Sequence, residues 1–318
     1  MLSVKKLISL YNNKMKNYLD IKVPNSSAFT IPTRDDFIQL HAVILACAKR
    51  GGSKTTALSN LLRMMKENNA LDRLIIISPT YHNNKHYFEG LPVNEETDVI
   101  EPEVNTAQDL MDMLELEGEM YDEYIDKIKR YNELMKLLKD ARKNIDEIDN
   151  DLLLEFDNME KPTYKYMRNG KAHKPTIGIF FDDCQGSDLF KPKSKISNMV
   201  TKHRHLGKTQ HGSIGCTLLF ACQNYTSSSM GLPKSIRGNL THMLLMKNKN
   251  MNELKLIAQE CAGEVDEEQF FKLYDKALQE KYDFLFIDFA KKKEHPSMFR
   301  RNFNEWLMVE NKKNLYKV

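Results

Sequence analysis

The 318-residue sequence predicts an α/β fold in which a mostly parallel sheet is flanked by helices, with a long helical insertion. Three observations carry this. Six apolar runs of strand length recur along the chain: HAVILAC, RLIIISP, TIGIFFDD, CTLLFACQ, THMLLMK and YDFLFID. They are apolar at successive rather than alternate positions, the mark of strands covered on both faces. Helical patterns separate several of them, the alternation that builds a parallel sheet.

Taken in order, residues 1–34 are rich in Lys and Asn and end in the proline-punctuated VPNSSAFTIPT. They read as an arm and linker. Residues 35–105 form the first part of the core. HAVILAC is bounded by the glycines of AKRGGSKTT, and ALSNLLRMMKENN places Leu58, Leu61, Leu62 and Met65 on one helical face. RLIIISP stops at Pro79.

Residues 106–160 differ in kind. They lack proline, carry one glycine, Gly118, and hold 17 acidic against seven basic residues. Tyr124, Ile125, Ile128, Tyr131, Leu134, Leu137 and Leu138 recur at helical spacing. One or two long acidic helices are expected, packed on their own domain as an insertion rather than forming a coiled-coil surface. Residues 161–295 resume the core, with helical patterns in MNELKLIAQECAG and EEQFFKLYDKALQEK, and residues 296–318 read as a C-terminal tail.

Composition narrows the function. With 41% hydrophobic and 29% charged residues the chain has the balance of an ordinary globular protein. It has no apolar run long enough to span a membrane and no secretory leader pattern. Five cysteines without a Cys-x-x-Cys pair argue against a disulfide scaffold or zinc ribbon and for a reducing, intracellular compartment. The net charge of +3 masks a basic C-terminal half, since residues 161–318 hold 27 basic and 16 acidic side chains. That half is either the footprint of a polyanion partner or a well-solvated surface. Its densest stretch, Lys191–Lys208, contains no acid. It is either a phosphate-contacting segment or a solvated loop.

Three constellations carry chemistry. The window Ala48-Lys49-Arg50-Gly51-Gly52-Ser53-Lys54-Thr55, followed by Thr56, stands between a strand and an amphipathic helix. It has the layout of a P-loop, whose backbone N–H groups and helix N-terminus cradle phosphates. Lys54 would reach the β- and γ-phosphates and Thr55 would hold Mg²⁺. Ala48 and Ser53 replace the two glycines of the reference pattern, and Gly51 and Gly52 supply the backbone freedom one or two positions away. The second constellation is IGIFFDD, a strand ending in Asp182 and Asp183. The first acid would orient a water or ligand on Mg²⁺, and the second would polarise the attacking water. The third is Gln223 at the tip of TLLFACQ, either a γ-phosphate sensor or an exposed strand end. Arg237 precedes THMLLMK and reads as an arginine finger or as a loop residue paired with a nearby acid. His211 and Cys216 are too isolated for a metal site.

The order of these features, from the P-loop through RLIIISPTY, FFDD, Arg204-His205-Leu206 and CTLLFACQNY to IRGNLTHMLL, resembles the poxvirus-type genome-packaging ATPases of large DNA viruses and virophages. These are a branch of the FtsK–HerA superfamily of P-loop DNA translocases. The resemblance covers residues 38–105 and 172–290, and FDD through R-G-N-x-T-H is its most specific part. It implies a RecA-like core that uses ATP and Mg²⁺ to drive double-stranded DNA into a preformed capsid. It implies a homo-oligomeric ring that meets a capsid or vertex protein in the host cytoplasm or viral factory. By matching position, Lys54 and Thr55 are the Walker A pair, Asp182 the magnesium-linked acid, Asp183 the catalytic acid and Gln223 the sensor. Arg204 and Arg237 are candidate fingers toward a neighbouring subunit. Two other readings stand beside it. One is a non-hydrolysing P-loop subunit that binds DNA or capsid, and the other a cellular or plasmid translocase.

Overall fold

A computed structural model describes residues 38–141, 160–226, 231–261, 263 and 265–309. The N-terminal arm, residues 142–159 of the acidic segment and residues 310–318 lie outside the described residues.

The chain enters β1 (Val43–Cys47), α1 (Lys54–Glu67) and β2 (Arg73–Ile77). There follow α2 (Tyr81–Asn84), which continues into a 3₁₀ turn, the short β3 (Val99–Ile100) and the 36-residue α3 (Thr106–Ala141). A small hairpin, β4 (Met167–Arg168) and β5 (Lys171–Ala172), precedes β6 (Ile177–Asp182). Helix α4 (Ile196–Lys202) leads to a second hairpin, β7 (Lys208–Thr209) and β8 (Gly212–Ser213), and then to β9 (Thr217–Cys222). The last third comprises α5 (Lys234–Arg237), β10 (His242–Met246), α6 (Met251–Cys261), α7 (Glu267–Ala277) and β11 (Phe284–Asp288), then β12 (Phe299–Arg301) and β13 (Glu305–Leu307).

Nine strands form one sheet in the order β13-β12-β11-β10-β1-β9-β6-β2-β3. The six from β10 to β3 are parallel, and β11, β12 and β13 add antiparallel strands at one side. The core is therefore RecA-like: β1 lies between β10 and β9, and β9 separates it from β6.

Each predicted strand run is buried on both faces. Val43, Leu45 and Cys47 of β1 join one apolar layer, while Ile44 and Ala46 join the other. Helix α1 covers the second layer with Leu58, Leu61, Leu62 and Met65, all almost fully buried. At about 1.5–3 kcal/mol per side chain, this face rather than helix propensity holds α1 in place. Helices α4, α6 and α7 cover the first layer.

Helix α3 belongs to that layer at its beginning, where Ala107, Leu110, Met111 and Leu114 are buried. Tyr124, Ile125, Ile128 and Tyr131 are only half-buried and Leu137 is exposed. Gly118 explains itself at this contact. A Cβ there would overlap the carbonyl of Lys208, so the missing side chain lets the β7–β8 hairpin press on α3. A glycine inside a helix costs about 1 kcal/mol, and the close approach is its compensation. Residues 299–307, within the stretch read as a tail, instead form β12 and β13 and extend the sheet. Phe299 and Leu307 are buried there, which two three-residue strands give no sequence period to reveal.

Candidate active site

In an open parallel sheet, ligands bind beyond the carboxyl ends of the strands. Here β1, β9, β6 and β2 all end at one edge, and the loops after them line a cleft of about 610 Å³. The P-loop follows β1, the two acids end β6, Gln223 follows β9, and Thr80, Asn83, Asn84 and Tyr87 follow β2.

Ala48 N donates to Cys222 O at 3.1 Å, tying the loop to β9. A β-turn closes where Gly52 N donates to Lys49 O at 3.0 Å, with Gly51 at φ +77° in its third position. A Cβ on Gly52 would stand 2.6 Å from Ala48 Cβ. The glycine requirement has thus moved: Ala48 fills space that a glycine would leave open, and Gly52 must stay bare. Ser53 takes the left-handed conformation (φ 59°, ψ 27°), and its side chain caps nothing. No acid occupies the first turn of α1. The first N–H groups of this 14-residue helix are therefore left for an anion.

Lys54 Nζ donates to Ala48 O at 2.9 Å across the loop. Burial lowers its pKa, opposed mainly by Asp183. Thr55 Oγ1 donates to Asp182 Oδ1 at 3.0 Å, and Asn84 Nδ2 to Asp182 Oδ2 at 3.3 Å. Burial pushes the Asp182 carboxyl above the usual carboxylate range, Asp183 adds to this, and the two hydrogen bonds oppose it. Among the described residues no group of three acidic, His or Cys side chains forms a metal cage. Mg²⁺ needs none, because it keeps several waters and takes one or two carboxylates plus phosphate oxygens. The hydroxyl–carboxylate pair of Thr55 and Asp182 is a donor set of that hard-oxygen kind.

Asp183 is also left-handed, at φ 55°. Gln223 Nε2 donates to its Oδ1 at 2.9 Å. Gln185 clamps the tip of β9: its Oε1 accepts from Gln223 N and Asn224 N, and its Nε2 donates to Asn224 O. Asn224 Oδ1 in turn accepts from Lys49 Nζ. The buried Glu253 of α6 takes Tyr225 N and Thr226 N at 2.6 and 3.0 Å. Asn84 and Gln185 are the residues that sequence reasoning missed. Their signal was slight: a polar run, TYHNN, straight after a buried strand, and an amide two residues beyond the paired acids.

The structure brings together Arg50 to Thr56, Asp182, Asp183 and Gln223 around the cleft. Lys49 turns instead to Asn224. It does not bring Arg237 or Arg204 into the cleft. Arg237 Nη1 contacts both Glu260 oxygens at 2.7 and 2.6 Å, and the guanidinium lies 4.9 Å from the Tyr225 ring centroid. Arg204 sits near His41 and His203 where the chain enters β1, at the opposite edge of the sheet. The basic stretch follows the 3₁₀ turn at Asp188–Phe190 and contains α4. Lys191 pairs with Asp188 and Lys195 with Gln108, while Lys193, Lys202 and Lys208 are exposed.

A RecA-like sheet with this loop and these acids at its carboxyl edge defines the P-loop nucleoside-triphosphatase class of fold. No family model and no curated protein sequence matches the chain. Solved structures of similar fold include the genome packaging NTPase B204 from Sulfolobus turreted icosahedral virus 2 in complex with sulfate. It is 10% identical, with 85% of this chain and 98% of that one covered and a TM-score of 0.42. The pCW3 conjugation coupling protein TcpA is 13% identical over 89% of this chain and 68% of that one, at a TM-score of 0.38. A further solved ATPase domain is 9% identical over 98% of this chain and 100% of that one, at a TM-score of 0.36. Among the described residues, no helix is long and apolar enough to cross a membrane.

Proposed function

We propose that this chain binds Mg·ATP in the cleft, hydrolyses it, and uses the turnover to drive double-stranded DNA into a preformed capsid. One observation supports the nucleotide half. Lys54, the Thr55–Asp182 pair and the Asp183–Gln223 pair come from three separate loops and meet in one cleft. A cleft that only held nucleotide would need the lysine and the hydroxyl. It would not need a second acid in a left-handed backbone with an amide on its carboxylate.

In this reading the α1 N-terminus and Lys54 hold the β- and γ-phosphates. Thr55 and Asp182 would hold Mg²⁺, which supplies positive charge to the phosphate oxygens when bound. Asp183 accepts the proton of the attacking water while Gln223 orients that water. The water oxygen bonds to the γ-phosphorus as the bridging bond to ADP breaks, leaving ADP and inorganic phosphate.

The DNA half rests on the motif order from FFDD to IRGNLTH and on the exposed lysines of the basic stretch. It includes a homo-oligomeric ring meeting a capsid or vertex protein, in the host cytoplasm or viral factory. For Arg237 to act across such a ring it must leave both Glu260 oxygens. Arg204 would have to act from the opposite edge of its own sheet.

The test is phosphate release by purified protein with and without duplex DNA, beside Lys54→Ala. Release stimulated by DNA and lost in the variant is the expected result. Nucleotide binding without release points to the non-hydrolysing subunit. Release indifferent to DNA removes the translocation reading.

A further inference from the structure

We propose that Arg50, inside the P-loop, supplies in cis the positive charge that the γ-phosphate needs as it is transferred. The inference rests on the hydrolytic reading above and adds a catalytic residue to it.

Four observations point to Arg50. It stands at the second position of the β-turn closed by Gly52 N and Lys49 O, next to the left-handed Gly51. That turn projects from the strand tip, and Arg50 is exposed on it while lining the cleft. It is the only arginine among the described residues that lines this cleft. No hydrogen bond or ion pair among the described residues engages its guanidinium, whereas Lys49 is held by Asn224 and Lys54 by Ala48. The other arginines considered for the role are committed elsewhere. Arg237 is pinned to Glu260 with its side chain only 12% exposed, and Arg204 lies at the far edge.

Charge balance adds weight. The protein groups in the cleft that carry charge are Arg50, Lys54, Asp182 and Asp183. Mg²⁺, when bound, would offset Asp182 and Asp183, so the side-chain charge left for the γ-phosphate is that of Lys54 and Arg50. Lys54 is partly buried and anchored at the floor of the loop. A second cation on a flexible stem at the rim can follow charge as it builds on the transferring oxygens. Its planar fork suits two of those oxygens at once. A guanidinium in this role is worth about 10³–10⁵ in rate, whether it comes from the same chain or a neighbour.

The experiment compares wild type, Arg50→Ala and Arg50→Lys in ATP turnover, in binding of Mg·ATPγS and in binding of Mg·ADP·aluminium fluoride. Because Arg50 is exposed and unbonded, both variants should keep the wild-type melting temperature. The expected result for Arg50→Ala is a kcat lower by at least about 100-fold, with ATPγS affinity within about threefold and most of the aluminium fluoride affinity lost. Arg50→Lys should fall between. Mixing Arg50→Ala with Lys54→Ala subunits distinguishes cis from trans. With a cis arginine no composite site is intact and the mixture stays inactive. Recovery of turnover on mixing overturns the proposal. So does a variant that weakens ATPγS binding while leaving kcat unchanged, because the arginine then only holds the substrate. Wild-type protein that binds nucleotide without turning it over sinks the hydrolytic reading and this proposal together. Turnover by wild type and Arg50→Ala alike sinks the arginine alone.

Discussion

Gln223 Nε2 donates to Asp183 Oδ1 at 2.9 Å, joining the tip of β9 to the tip of β6 across the cleft. The bond holds the second acid in a left-handed backbone that most side chains avoid. Asparagine tolerates that conformation and keeps the accepting oxygen. Asp183→Asn should therefore leave fold and nucleotide affinity intact and lower turnover by about 10²–10⁴, the usual contribution of a general base. Steady-state kinetics beside nucleotide titration decide it, and unchanged turnover removes Asp183 from the chemistry.

Ser53 precedes the lysine at φ 59° with no hydrogen bond from its side chain to offset the strain. A non-glycine residue there costs roughly 1–2 kcal/mol. Ser53→Gly should raise stability or tighten ATP binding by about 1 kcal/mol. Urea unfolding and nucleotide titration read the two. A marked loss of nucleotide affinity with stability unchanged would mean that the hydroxyl has a partner only when nucleotide is bound.

Burial holds the His41 pKa down at about 4, and His203 and Arg204 nearby push it the same way against a hydrogen bond that the ring donates to the backbone of Ile214. His203 is lowered by burial too. The folded protein keeps the His41 ring neutral down to about pH 4, and the unfolded chain takes up a proton there as pH falls below about 6.5. Stability should be full above that value and decline between pH 6.5 and 4, by up to roughly 3 kcal/mol from His41. Urea midpoints at pH 7.5 and pH 5 measure the loss. His41→Gln should flatten the slope, and an equal slope in both proteins would assign the pH dependence elsewhere.

Lys193 and Lys195 are exposed beside Lys191, which pairs with the exposed Asp188. Each phosphate neutralised on duplex DNA adds about −0.9 to the log–log salt slope of binding. Replacing all three lysines by Gln should flatten that slope for any duplex sequence. If the slope does not move, the DNA path lies on another face.

The strands and the lysine, threonine, acids and glutamine at their tips were legible because each is marked by its neighbours along the chain. IGIFFDD declares both a two-sided strand and its acidic end, and the Leu58–Met65 stripe declares the covering face of α1. Residues defined by partners far away in sequence carried no such mark. Asn84 meets Asp182 across 98 positions and Gln185 meets Gln223 across 38, and both contacts exist only because the sheet places β2, β6 and β9 side by side. The same holds for Arg237, whose role as a finger or as the partner of Glu260 depended on where α6 packs. The loop shows the division most directly. Its sequence announced two displaced glycines, but which one had to be bare was decided by Ala48 Cβ lying under Gly52, since steric exclusion acts between atoms in space and not between letters in a row.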